Sequence, residues 1–152
     1  HGCLVGSEMC IRDRFGIKDF QQLCLIYTKL SPLHGTSIIP VETVREPSGL
    51  ALSSRNILLN DDQKFVASKI YEGLKLLEKN IKEDPEIDYI SFLEDFYKDY
   101  NSLEIEYIFI ENTSIFDENE RLISELLNNK NQVIMVAAKV GNIRLIDNLL
   151  IS

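Results

Sequence analysis

The sequence predicts a mixed α/β protein whose larger, later part is a compact α+β unit with a small antiparallel sheet. Three observations carry this. Apolar residues recur at helical spacing over Lys18–Leu30, over Asn60–Ile81 and again from Tyr89 to Tyr100. Leu103, Ile105, Tyr107 and Phe109 alternate with Glu104 and Glu106, the period of a strand. Gln132–Val140 is then apolar enough to be a central strand, and Gly141-Asn142 turns it back on itself.

The elements follow in order. In Lys18–Leu30, Phe20, Leu23, Cys24 and Tyr27 share one helix face. Pro32 and His34-Gly35-Thr36 read as a loop. Ser37–Val41 reads as a short strand with Pro40 near its end, and Thr43–Arg45 are candidates to extend it. Pro47-Ser48-Gly49 is a turn. Asn60 and Gln63 have the spacing of a capping box at the head of the second helix. Val66, Ile70, Leu74, Leu77 and Ile81 form its apolar face. Pro85 is suited to the first turn of a further helix reaching about Tyr100, with Tyr89, Leu93, Phe96 and Tyr100 as its stripe. Leu122–Leu127 is a short helix, and Ile143–Ile146 a third strand. The opening HGCLVGSEMCIRDR has neither period.

Bulk composition bounds the function. The chain has 152 residues, 45% hydrophobic and 26% charged, with a net charge of −8. Nucleic acid or an anionic membrane as a bulk partner would require a basic face. No apolar run approaches the roughly 18 residues of a membrane span. Three cysteines without regular spacing do not suggest a disulfide framework, so a cytoplasmic setting fits.

There is no Cys/His cluster with zinc-ligand spacing. His34 reads as a surface-loop residue and Cys24 as core. Glu104 and Glu106 read as the wet face of a strand, and Asp117-Glu118-Asn119-Glu120 as a solvated turn. Two stretches could carry chemistry. In Gly16–Leu23, Lys18 and Asp19 fall in a first helical turn, whose free N–H groups suit an anion. Read alone, an ordinary helix start is the simpler account. In Leu50–Asn56, Ser53, Ser54 and Arg55 end an apolar run with two hydroxyls and a guanidinium, a compact unit for phosphate oxygens. Arg45 adds a second cation nearby. The competing account is a polar loop in which Ser54 or Asn56 caps a turn.

Taken together, FGIKDFQQL, then VREPSGLALSSRN, then VAAKVGNIRLIDN resemble the pantoate–β-alanine ligase (pantothenate synthetase) family from Phe15 to Asn148. The resemblance implies residues 15–59 as the C-terminal part of a Rossmann-like nucleotide-binding domain and residues 60–152 as an α+β lid domain. It implies an ATP- and Mg²⁺-dependent ligase that condenses pantoate with β-alanine through pantoyl adenylate, a homodimer at full length. It places Gly16, Ile17, Lys18, Asp19, Val44, Leu52, Ser53, Ser54 and Arg55 at ATP and Gln22 at pantoate. Lys18, Ser53, Ser54 and Arg55 would carry the catalytic contacts. Ile17 stands where the family usually has Glu, and Ser48 where it usually has Asp. The family's M-G-x-L-H-x-G-H segment does not occur in this sequence. Roughly half the family's length is therefore expected upstream. Without it the chain is expected to be inactive, to expose sheet edges and to be poorly ordered before Asn60. The alternative is a stand-alone nucleotide-binding or interaction module, which would bind ATP without releasing pyrophosphate.

Residues 1–14 need a separate account. Leu4–Asp13, LVGSEMCIRD, match one translated frame of a transposase adapter end used in DNA library preparation, and Arg14 fits its partial codon. Residues 1–14 are thus expected to be non-native, which removes His1, Cys3, Met9 and Cys10 from the chemistry. Sequencing the source DNA upstream of the Phe15 codon checks this. The expected result is an open frame encoding the histidine-bearing segment; genomic DNA encoding LVGSEMCIRD itself would overturn it.

Overall fold

The computed structural model describes residues 12–118 and 121–151. His1–Ile11, with most of the adapter-like stretch, and Asn119-Glu120 of the acidic run lie outside the described residues. The chain enters on β1 (Arg12–Gly16), crosses a helical run and returns on β2 (Ser37–Val41), which pairs with β1 in parallel, Arg12 opposite Ser37 and Gly16 opposite Val41. The sequence pattern gives no sign of β1. Arg12, Asp13 and Arg14 are all exposed, so backbone hydrogen bonds alone place the strand and no alternation marks it.

The helical run is longer than its apolar period predicts. A 3-10 turn (Ile17–Asp19) leads into α1 (Phe20–Leu25), a π-helical turn (Ile26–Leu30) and α2 (Ser31–His34). Pro32 and His34 therefore sit in a helix and not in a loop. Pro32 occupies the first turn of α2, where its missing N–H costs least, and the turn before it is widened so that the Ser31 N–H reaches the Ile26 carbonyl. Gly35, at φ +61°, ends the run. Strand β2 stops at Val41, so Thr43–Arg45 do not extend it; Arg45 instead bridges to Ala51.

After a 3-10 turn (Ser54–Leu58) comes α3 (Asp61–Glu83), opened by the capping box in which Asn60 and Gln63 exchange side chain-to-backbone bonds. Helix α4 (Tyr89–Tyr97) begins later than Pro85 suggests, because the Asp88 carboxylate accepts from the N–H groups of Ile90 and Ser91 and fixes the start there. The two helices approach closely at Gly73. A Cβ at that position would lie 2.3 Å from the Tyr97 hydroxyl oxygen, which donates to the Ile70 carbonyl at 2.9 Å.

The second sheet is antiparallel, β3 (Leu103–Asn112), β4 (Gln132–Val140) and β5 (Ile143–Ile151), with β4 central. A 3-10 turn (Thr113–Phe116) and α5 (Ile123–Leu126) connect β3 to β4. Strand β5 runs five residues beyond the predicted Ile146, since Asp147 and Asn148 are paired within it. Ile134, Val136, Ala138 and Val140 face α3 and α4 in one core. Val133 and Met135 face the opposite way, into a second core with Phe20, Leu23 and Cys24 of α1 and Ile123 and Leu127. Phe20 meets Phe116 edge-on at 5.3 Å between centroids. The segment before Asn60 is thereby packed against the second sheet, while Leu25, Leu30, Leu33 and Val41 remain exposed. No helix among the described residues is long and apolar enough to cross a membrane.

Cys24 is buried in the second core. Burial first, then the nearby Asp117 carboxylate, pushes its thiol up to about 12 from an ordinary 9.0. Burial likewise raises the Tyr97 hydroxyl. The unfolded chain releases these protons at lower pH than the folded chain, so stability should fall as pH rises from 9 towards 12. Denaturant titrations across that range check the slope. Peptide mapping after iodoacetamide at pH 8 should find Cys24 alkylated only upon unfolding.

Candidate functional site

Two separate segments are brought together at β5. The first is the Ile17–Asp19 turn. Its backbone is held by the Asn148 side-chain amide, which donates to the Ile17 carbonyl at 2.8 Å and the Lys18 carbonyl at 2.9 Å. Lys18 is half-buried and Asp19 exposed. This turn is 3-10 and α1 has only six residues, so the helix-end field anticipated from sequence is small; Lys18 itself supplies the charge.

The second segment is a tight hairpin from Val44 to Leu52. The Glu46 N–H donates to the Leu50 carbonyl at 2.9 Å, and the Leu52 N–H to the Val44 carbonyl at 2.9 Å. Gly49, at φ +92°, makes the reversal with its Cβ position against the Tyr71 ring, so a side chain there would be strained twice over. Leu50 and Ala51 are buried and anchor the hairpin. Beyond them the chain emerges as Ser53-Ser54-Arg55. The Ser53 hydroxyl accepts from the Arg55 N–H at 3.3 Å, so Ser53 is the cap of the 3-10 turn, not Ser54. Asn56 is buried and its amide donates to the Ala51 carbonyl at 3.0 Å. The Arg55 guanidinium donates to the Arg144 carbonyl on β5 at 2.9 Å.

Lys18, Asp19, Ser53, Ser54 and Arg55 line one cleft of about 270 Å³, floored by Ile70 of α3 and by Arg144–Asp147. An adjoining cleft of about 180 Å³ shares Lys18 and Asp19 and adds Gln22, Tyr107 and Met135. Beside Arg144 and Asp147, whose charges are paired with Glu106 and Arg45, the cations Lys18 and Arg55, two hydroxyls and the Asp19 carboxylate converge where an anion larger than a single phosphate could lie. Gly16, Ile17, Val44 and Leu52 line neither cleft. Val44 and Leu52 pair through their backbones and leave their side chains exposed, while Gly16 opens the turn that carries Lys18.

Arg45 is a correction to the sequence reading. It is no second cation for the cleft, because Asp147 holds it in a bidentate pair at 2.6 and 2.8 Å. The same guanidinium donates to the Gly49 carbonyl at 3.1 Å and stacks 3.6 Å from the Tyr71 ring centroid. Sequence reasoning missed Asp147 and Asn148 as site residues. Their signal was two adjacent polar residues inside the apolar run LIDNLLI, both of which the structure buries.

The pantoate-beta-alanine ligase family model matches residues 8–150. A pantothenate synthetase of Cytophaga hutchinsonii is 36% identical over 140 residues, which is 90% of this chain and 48% of the relative. One from Azobacteroides pseudotrichonymphae is 41% identical over 143 residues, 89% of this chain and 47% of that protein. Among solved structures, a Thermus thermophilus enzyme of the same name superposes with a TM-score of 0.73 at 26% identity, over 91% of this chain and 49% of that one. The Francisella tularensis pantoate-beta-alanine ligase, complexed with beta-gamma ATP and beta-alanine, gives 0.59 at 31% identity over 91% and 43%. The chain spans about half the length of the relatives it matches.

Removing the Asp147 charge leaves the largely buried Arg45 guanidinium uncompensated. Asp147→Asn should cost about 3–5 kcal/mol of folding free energy, far more than any exposed pair on α3. Urea denaturation of the variant beside Lys75→Ala, which breaks an exposed pair with Glu78, checks the contrast.

Proposed function

The chain belongs to the pantoate–β-alanine ligase family, and we propose that it supplies the C-terminal share of an enzyme that condenses pantoate with β-alanine at the expense of ATP. The observation that carries this is the convergence of Lys18 and Asp19 with Ser53, Ser54 and Arg55 on one cleft, from segments far apart in the chain. On this reading residues 15–59 complete a Rossmann-like nucleotide-binding domain, in keeping with the parallel β1–β2 pair, and residues 60–152 are the lid. The full-length enzyme is a cytoplasmic homodimer.

The reaction has two steps. A pantoate carboxylate oxygen attacks the α-phosphorus of ATP and the bond to pyrophosphate breaks. The β-alanine amine then attacks the acyl carbon of pantoyl adenylate and AMP leaves. No protein nucleophile is needed, so positioning and charge neutralisation dominate. Lys18 and Arg55 offset charge on the phosphates, and the Ser53 and Ser54 hydroxyls donate to their oxygens. Gly16, Ile17, Val44 and Leu52 contact the nucleotide chiefly through backbone. Gln22, in the adjoining cleft, donates its amide to pantoate and places the carboxylate for attack.

Mg²⁺ is held mostly by phosphate oxygens and water, with one or two carboxylates from protein. Among the described residues no group of three or more metal-ligating side chains occurs. Asp19 lines the cleft exposed, whereas Asp147 is committed to Arg45, so Asp19 is the residue in this chain that would hold the ion beside its phosphates. Bound there, the ion supplies further neutralisation of phosphate charge.

In the full-length enzyme, Arg55→Ala should slow pantoyl adenylate formation by about a hundredfold. The measurement is pantoate-dependent pyrophosphate release in a single turnover. An unchanged rate would remove Arg55 from the phosphate site, and ATP binding with no pyrophosphate release by the wild-type enzyme would favour a binding module instead.

A further inference from the structure

The Lys18 turn and the Ser53-Ser54-Arg55 loop reach the cleft from different parts of the chain, yet both hang from adjacent residues of β5. Neighbouring residues of a strand point to opposite faces of its sheet. The face of β5 that carries Leu145, Leu149 and Ile151 packs towards α3, and the face that carries Leu150 packs towards α1. Asp147 shares the first face. It grips Arg45 in the stem of the hairpin that ends in the Ser53 loop. Asn148 shares the second face and grips the two carbonyls on either side of the Lys18 N–H. Asp147 also accepts from the Asn148 N–H at 2.8 Å, so the two anchors are tied to each other.

We infer that Asp147 and Asn148 are a paired positioning element that sets the spacing between Lys18 and the Ser53 loop across the edge of the sheet. This deepens the proposed ATP site and rests on that reading. Strand β5 is paired along its length with β4. The two anchor residues are therefore offset by one residue step along the strand, about 3.4 Å, on opposite faces of the sheet, so the placement of the two loops starts from one strand and not from two independent loop conformations. Loops fixed before the ligand arrives need no ordering when it binds. Stability alone does not account for the arrangement. A buried ion pair is often no more stabilising than apolar residues of the same volume, and apart from the exposed Arg144 the remainder of this strand is apolar. What an apolar replacement could not do is hold two backbone segments in register.

The test uses the full-length enzyme with Arg45→Lys, which keeps the charge and loses the fork, and Asn148→Ala, which removes both donors. Amide hydrogen exchange and ATP titration are read on each. Asn148→Ala should speed exchange over residues 16–20 by about tenfold and spare residues 45–56. Arg45→Lys should do the reverse. Both should weaken ATP binding by about tenfold without a matching rise in the unfolded fraction. Where Asn148→Ala does not fold, Asn148→Ser keeps one donor and is read for the same pattern. Exchange that rises equally in both segments, or ATP loss that only follows unfolding, would overturn the inference. A wild-type full-length enzyme that does not bind ATP counts against the nucleotide reading of the cleft, and the exchange pattern then decides the positioning role.

Discussion

Strand β4 is apolar on both faces, and the remaining architecture is a response to that. Val133, Ile134, Val136, Ala137, Ala138 and Val140 are all fully or almost fully buried. A strand of that kind cannot sit at a solvent-facing surface, so each side must be covered. Helices α3 and α4 cover the side that Ile134 and Val136 present. The other side is closed by α1 and by the connection through Phe116, Ile123 and Leu127. The parallel β1–β2 unit and the antiparallel sheet are separate ladders, but the second core joins them, because Phe20, Leu23 and Cys24 complete what Val133 and Met135 begin.

The candidate site is a by-product of that join. Where α1 meets the sheet on one side and the Val44–Leu52 hairpin meets α3 on the other, β5 is the element both touch. Overall the chain carries a net charge of −8, yet Lys18 and Arg55 converge on this cleft. The Asp147 carboxylate, paired with the Arg45 guanidinium that stacks on Tyr71, is turned to framework use. Its charge at the floor of the cleft is offset by Arg45, which leaves the potential there to Lys18 and Arg55.

Much of this was legible in the sequence where periodicity and local capping act alone. The capping box at Asn60, the α3 face from Val66 to Ile81, the central place of β4 and the Gly141 turn are all decided by neighbours within a few residues. What escaped was decided by distant partners. Strand β1 has three exposed charged residues and exists because β2 lies beside it. Pro32 reads as a breaker, yet a widened turn absorbs its missing donor. Helix α4 starts at the Asp88 cap and not at Pro85, a choice between two legitimate signals that the Asp88 bonds to the Ile90 and Ser91 N–H groups settle. In the site, GIKD and LSSRN are conspicuous by composition. The Arg45–Asp147 pair is not, since 102 residues separate its members and nothing local predicts which cation a buried carboxylate will choose.

The contact between Gly73 and Tyr97 has a bearing on how this half of the molecule can diverge. A backbone meets the tyrosine ring there with no room for even a methyl group, and the tyrosine hydroxyl spans the gap to a carbonyl of α3. Any larger residue at 73 is blocked while the tyrosine stays, and shrinking the tyrosine first opens a void beside a glycine with no side chain to fill it. The two positions are therefore epistatic. Descendants of this sequence can leave the glycine–tyrosine combination only by a double change or through an intermediate with its helices moved apart, which makes the helix pair a slow-evolving seam beneath a more freely varying surface.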